Sequence, residues 1–74
     1  MKNLRLLRKR KRITQVNLQI HTGIDQSELS KYERGERLPT CENLLILAKF
    51  FDTSLDYLMD LTDEEQPYPK KKEI

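Results

Sequence analysis

Thr14-Gln15-Val16-Asn17-Leu18-Gln19-Ile20-His21-Thr22-Gly23-Ile24-Asp25-Gln26-Ser27-Glu28-Leu29-Ser30-Lys31-Tyr32-Glu33-Arg34-Gly35 is the stretch on which the fold turns. Thr14 is a good N-cap and Gly23 a good left-handed terminator, so the spacing predicts a short helix over Gln15 to Thr22 that buries Leu18 and Thr22. Asp25 caps the next helix, with Glu28 at N3 in a capping-box pattern, and Gly35 ends it after Arg34. Only Gly23-Ile24-Asp25 separates the two. So tight a turn forces a large angle between short helices and leaves the second of them projecting from the body.

Working outward, Leu4, Leu7 and the stem of Lys11 recur at i, i+3, i+7, which predicts a first helix from Asn3 to about Lys11. Pro39 and Thr40 punctuate on the other side, and Leu44, Leu47, Ala48 and Phe51 then form one stripe of a fourth helix. Ser54 caps a last turn or two, Leu55 to Met59. No segment alternates with period two for long enough to be a strand. The reading is an all-α domain of five helices over residues 1–61. Residues 62–74 carry two prolines, four acids and three consecutive lysines with almost no aliphatics, and are expected to form a disordered charged tail.

The chain has 74 residues and a net charge of +2, but the charge is unevenly spread. Residues 1–40 hold ten basic and four acidic side chains, whereas residues 41–74 hold four basic and eight acidic. A polyanion would meet the front half, because screening over roughly 8 to 10 Å lets the halves act nearly independently. The longest apolar run, Leu44 to Ala48, is far short of the ~20 residues that span a bilayer. Arg8 to Arg12 is five successive cations where a signal peptide would be apolar, so a cytoplasmic location is expected. One cysteine, Cys41, and one histidine, His21, supply no disulfide and no zinc set, so neither metal nor cofactor is expected. An enzyme would need a nucleophile with a base, paired carboxylates in a cleft or a metal cage, and none is visible.

At about 100° per residue from Gln26, Ser30 lies near 40°, Arg34 near 80°, Ser27 near 100° and Lys31 near 140°. Opposite lie Tyr32 near 240° and Leu29 near 300°, with Glu33 near 340° at the edge of that buried face. The wet strip therefore consists of amide, hydroxyl and cationic groups. An amide can pair bidentately with adenine N6 and N7, and a lysine with guanine O6 and N7, which suits the DNA major groove. The helix N-terminus also points backbone N–H groups outward, where a phosphate can accept them.

Together with Leu7-Arg8-Lys9, Ile13-Thr14-Gln15, Leu18, Gly23-Ile24-Asp25-Gln26-Ser27, Leu29-Ser30-Lys31, Glu33-Arg34-Gly35-Glu36-Arg37, Pro39-Thr40, Leu44, Leu47-Ala48 and Ser54-Leu55-Asp56, this strip resembles the phage repressor and Cro-like helix-turn-helix regulators. The resemblance covers residues 4 to about 59 and implies a compact lambda-repressor-like fold that binds double-stranded DNA. It implies that Gln26, Ser27, Ser30 and Lys31 contact bases. Arg8, Gln15, Arg34 and Arg37 would contact phosphates, with Gln15 buttressing Gln26 and Arg8 paired to Glu33. Two departures stand out: Gln19 where a small residue is usual, and Arg12 where the first helix often ends in glycine. The implied function is a transcriptional regulator, a repressor at a palindromic operator, with no small-molecule ligand.

A domain this small cannot hide Phe50, Tyr57, Met59 and Leu61 together, and two-fold DNA sites favour paired proteins, so these residues form a candidate homodimer surface. The competing reading from another class is an antitoxin-like or other protein-interaction module using Val16, Ile20, Ile46 and Phe50. Cys41 is expected to pack as a small hydrophobe and His21 to be exposed, while Lys70 to Lys72 serve as a solubilising tail.

Overall fold

The structure, a computed structural model, describes residues 1–67. Five helices follow in order: α1 Lys2–Arg10, α2 Gln15–Thr22, α3 Gln26–Arg34, α4 Cys41–Phe51 and α5 Leu55–Leu58, with no strand among the described residues. Helix boundaries fall within one residue of those read from the sequence. No helix of the described residues is long and apolar enough to cross a membrane.

Most ends are set by the residues that announced them. The Thr14 hydroxyl accepts from the Asn17 backbone amide at 3.1 Å, and the Asn17 side-chain Oδ1 accepts from the Thr14 backbone amide at 3.3 Å, closing a capping box at α2. Thr40 and Ser54 cap α4 and α5 through the amides of Asn43 and Tyr57. Gly23 and Gly35 terminate α2 and α3 at φ of 76° and 75°, where a side chain would be strained. The capping box expected at α3 does not form. Asp25 accepts from the Ser27 amide at 3.2 Å, but Glu28 turns away to pair with Arg37 at 2.9 Å.

α1 is capped from far away. Met1 supplies no side-chain cap; instead the Asp60 carboxylate accepts from the amides of Lys2 and Asn3 at 2.8 and 2.9 Å. The Asn3 amide group donates to the Tyr57 carbonyl at 2.8 Å, so α1 and the α5 region close on each other.

Leu4, Leu7, Leu18, Ile24, Leu29, Tyr32, Leu47, Phe51, Tyr57 and Leu58 form the core, with Met1, Ile13, Leu44, Ile46, Ala48 and Phe50 packed around it. Each fully buried leucine contributes roughly 1.5 to 3 kcal/mol. Ile24 pins the α2–α3 turn inward, and the Tyr32 hydroxyl accepts from the Asn43 side-chain Nδ2 at 3.0 Å, which satisfies the one polar atom of a buried ring. Packed between α1 and α2, α3 buries Leu29 and Tyr32 and leaves its polar strip outside.

Three expectations are corrected. Tyr57, placed on a candidate dimer surface, is 7% exposed and belongs to the core, because α5 docks on α4 with that side inward. Cys41, expected to pack as a small hydrophobe, is exposed at the first position of α4, although its i, i+3, i+7 spacing puts it on the side of Leu44 and Ala48. The folded body also continues past residue 61. Thr53 and Ser54 are buried, and their hydroxyls donate to the carbonyls of Glu65 and Glu64 at 2.6 and 3.1 Å. Buried hydroxyls require partners, and the acidic segment supplies its backbone for the purpose, with Arg10 bonding the Glu65 carboxylate outside. Lys70 to Lys72 lie outside the described residues.

Arg12 holds φ of 58°, and its amide donates to the Lys9 carbonyl at 3.0 Å as α1 ends. A left-handed non-glycine residue costs roughly 1 to 2 kcal/mol, and glycine would return part of that as unfolded-state entropy. Arg12→Gly is therefore expected to raise stability by about 0.5 to 1 kcal/mol, a few degrees in Tm, in a urea or thermal melt. An unchanged or lower midpoint would show that the strain is absent.

Candidate nucleic-acid interface

The outward strip of α3 comes from its period and from the burial of Leu29 and Tyr32 on the other side. Gln26, Ser27 and Arg34 are exposed, and Ser30 and Lys31 are half-buried along the same strip.

Beneath the strip runs a continuous polar chain. Arg8 grips Glu33 with two parallel bonds, Nε to Oε2 at 2.6 Å and Nη2 to Oε1 at 2.9 Å, and its Nη1 donates to the Ile13 carbonyl at 2.9 Å. The two side chains are only 12% and 4% exposed, so each charge depends on the other. The hydrogen bonds to Glu33 hold the Arg8 guanidinium above its usual pKa, against the opposing effect of burial. Gln15 Nε2 donates to Glu33 Oε1 at 3.1 Å, and Gln26 Nε2 donates to Gln15 Oε1 at 3.4 Å.

The direction of this chain has a chemical result. A carboxylate only accepts, so Gln15 must turn its nitrogen inward and its oxygen toward Gln26. Gln26 must then spend one N–H on Gln15, which leaves its other N–H and its carbonyl oxygen open. That is the donor and acceptor pair that adenine N7 and N6 require. Buried charge thus fixes the polarity of an exposed amide.

Gln19, the residue that departed from the resembling pattern, acts here as well. Its Oε1 accepts from the Gln26 amide at 2.7 Å, which caps α3 from α2. With the Ser27 amide taken by Asp25, the first two N–H groups of α3 are already satisfied. Two of the N–H groups expected to face a phosphate are thus engaged within the chain. Nothing in a single helix's pattern signals this, because Gln19 lies in the preceding helix.

Two of the outer cations, Arg34 and Arg37, are partnered. Arg34 bonds Glu36 and the Ser30 hydroxyl, and Arg37 bonds Glu28 at 2.9 Å. The hydrogen bond from Arg34 holds the Glu36 carboxyl below its usual range. Exposed pairs of this kind are worth at most about 1 kcal/mol, so a phosphate can replace the carboxylate at little cost. Arg8 is different: three of its donors are engaged inside the molecule, on Glu33 and the Ile13 carbonyl.

The family model described as helix-turn-helix matches residues 4–58, the span that carries α1 to α5. The chain belongs to the Cro/C1-type helix-turn-helix family. This helix-turn-helix chain is 37% identical over 71 residues to YobD of Bacillus subtilis, an uncharacterized HTH-type transcriptional regulator, covering 96% of this chain and 63% of the relative. It is 42% identical over 66 residues to the cryptic phage CTXphi transcriptional repressor RstR of Vibrio cholerae, covering 84% and 59%. With repressor protein C2 of Salmonella phage P22 it shares 36% over 72 residues, covering 95% and 33%. The chain thus spans less than two thirds of the length of these relatives. No solved structure matches it.

The remaining candidates separate. Phe50 is packed at the core edge, with the His21 ring at 5.5 Å, Phe51 edge-on at 4.9 Å and Lys11 Nζ 5.2 Å above its ring. Ile46 also packs against the core, while Val16 and Ile20 are exposed. Met59 is half-buried and Leu61 exposed.

Glu33→Ala leaves Arg8 uncompensated and is expected to cost about 3 kcal/mol in a urea melt. Replacing both partners together, Arg8→Met with Glu33→Leu, should recover most of that loss. A double variant as unstable as Glu33→Ala would argue against the ion pair as the source.

Proposed function

We propose that this chain binds double-stranded DNA sequence-specifically at a short palindromic operator and represses transcription, working as a homodimer in the cytoplasm. One observation carries the reading: Gln26 is exposed at the start of α3 with a donor and an acceptor left open by the chain from Arg8 through Glu33 and Gln15. No internal role of the domain needs that polarity. Two of the similar proteins are named as repressors, which supports the direction of regulation proposed.

In this reading Gln26, Ser27, Ser30 and Lys31 specify bases. Gln15, Arg34 and Arg37 fix the register on the phosphates, and Arg8 holds the reading amide. The two surface pairs then act as stand-ins: Glu28 and Glu36 occupy the arginines until phosphates displace them. Leu61 and the half-buried Phe50 and Met59 are the remaining members of the proposed dimer surface.

Selection of bound sites from a random duplex library is expected to return a two-fold sequence whose half-sites lie about 34 to 36 Å apart. A consensus without symmetry would remove the homodimer. Gln26→Ala should lose about 1 to 3 kcal/mol, mainly at one base pair, whereas Arg37→Ala should weaken cognate and random duplexes alike. An equal loss on both duplexes for Gln26→Ala would contradict its assignment to a base.

A further inference from the structure

Arg5 stands one turn before Arg8 on α1, and side chains three apart share a helix face. It is exposed and belongs to none of the ion pairs found among the described residues. It nevertheless lines an open cavity of about 290 Å³ together with Arg8, Gln15, Ser30, Glu33 and Arg34. Three guanidinium groups face one carboxylate there, and that carboxylate is already held by Arg8 and Gln15. The lining has a surplus of positive charge and room for roughly ten waters, enough for a hydrated oxyanion.

The position of the cavity decides which oxyanion it meets. Ser30 and Arg34 lie on the polar strip of α3, so the opening adjoins the proposed DNA-reading face. A helix about 10 to 12 Å across fills a major groove about 12 Å wide. α1 packs behind α3, at the 8 to 10 Å typical of helix pairs, and therefore faces the wall of the groove instead of its floor. That wall is phosphate.

We propose that the cavity between α1 and α3 seats a phosphate of the DNA backbone, with Arg5 binding it directly and Ser30 and Arg34 beside it. The proposal rests on the DNA-binding reading and adds a contact from α1 to it. A guanidinium fork suits two oxygens of one phosphate, so Arg5 contributes affinity without reading sequence.

The test is fluorescence anisotropy of the full chain and of Arg5→Gln and Arg5→Lys on a selected and a random duplex across a salt series. Arg5→Gln is expected to raise Kd about tenfold on both duplexes and to lower the logarithmic salt slope by about one. Arg5→Lys should restore the slope but only part of the affinity, while thermal melts of both variants match the parent. Parent-like Kd and slope in Arg5→Gln overturn the seat, and a loss confined to one base pair reassigns Arg5 to a base. A parent chain that binds neither duplex sinks the DNA-binding reading itself, and the seat with it. Inorganic phosphate at constant ionic strength should leave the free protein's Tm unchanged. An Arg5-dependent rise would give the cavity to a free oxyanion and overturn the backbone assignment.

Discussion

A carboxylate on the inner edge of a helix is tolerated only where cations and donors surround it, and Glu33 imposes that condition on everything near it. Arg8 answers with a bidentate grip, which fixes α1 against α3. Gln15 answers with an amide proton, which fixes α2 against α3. The three helices are thus oriented by one charge, and the apolar contacts of Leu4, Leu7, Leu18 and Leu29 fill the space this orientation leaves. Packing supplies most of the free energy. The ion pair supplies the angle at which α3 is offered outward, because an apolar core tolerates small rotations that a forked hydrogen bond does not.

The same arrangement separates side chains by how firmly they are held. Arg8 and Glu33 are tied from several directions, Gln26 only through a long bond at 3.4 Å and its neighbours, and Arg34 and Arg37 through exposed pairs that water and salt weaken. Rigidity therefore decreases from the core outward. Under the proposed function, the groups that would meet phosphates sit at the loose end, and the amide that would meet a base edge sits between.

Local chemistry made much of this legible. Thr14, Gly23, Asp25, Gly35, Thr40 and Ser54 act on amides or φ angles within three residues, so the string of letters marks the helix ends directly. The Arg8–Glu33 pair came from resemblance supported by the place of Glu33 on the helical wheel. What stayed hidden was non-local: Asp60 capping a helix 58 residues earlier, Gln19 capping α3, and the backbone of Glu64 and Glu65 answering Thr53 and Ser54. Composition judged the acidic segment by its side chains, whereas its carbonyls do the bonding. Tyr57 was misplaced because a four-residue helix is too short to display a period. Arg5 gave no signal beyond its charge, since its meaning arises only when α1 is laid behind α3.

The closure of Asp60 onto α1 bears on the order in which the chain becomes competent. Helices α2 and α3 can pair early, being adjacent in sequence, but the bonds from Lys2 and Asn3 to Asp60 close a loop of nearly the whole domain and pay its entropy late. Until that ring shuts, α1 is loosely placed, Arg8 has no fixed bearing on Glu33, and the amide of Gln26 is free to rotate. Under the proposed function, an immature chain would hence expose cationic helices without discriminating among sequences, and selectivity would arrive as the last event of folding.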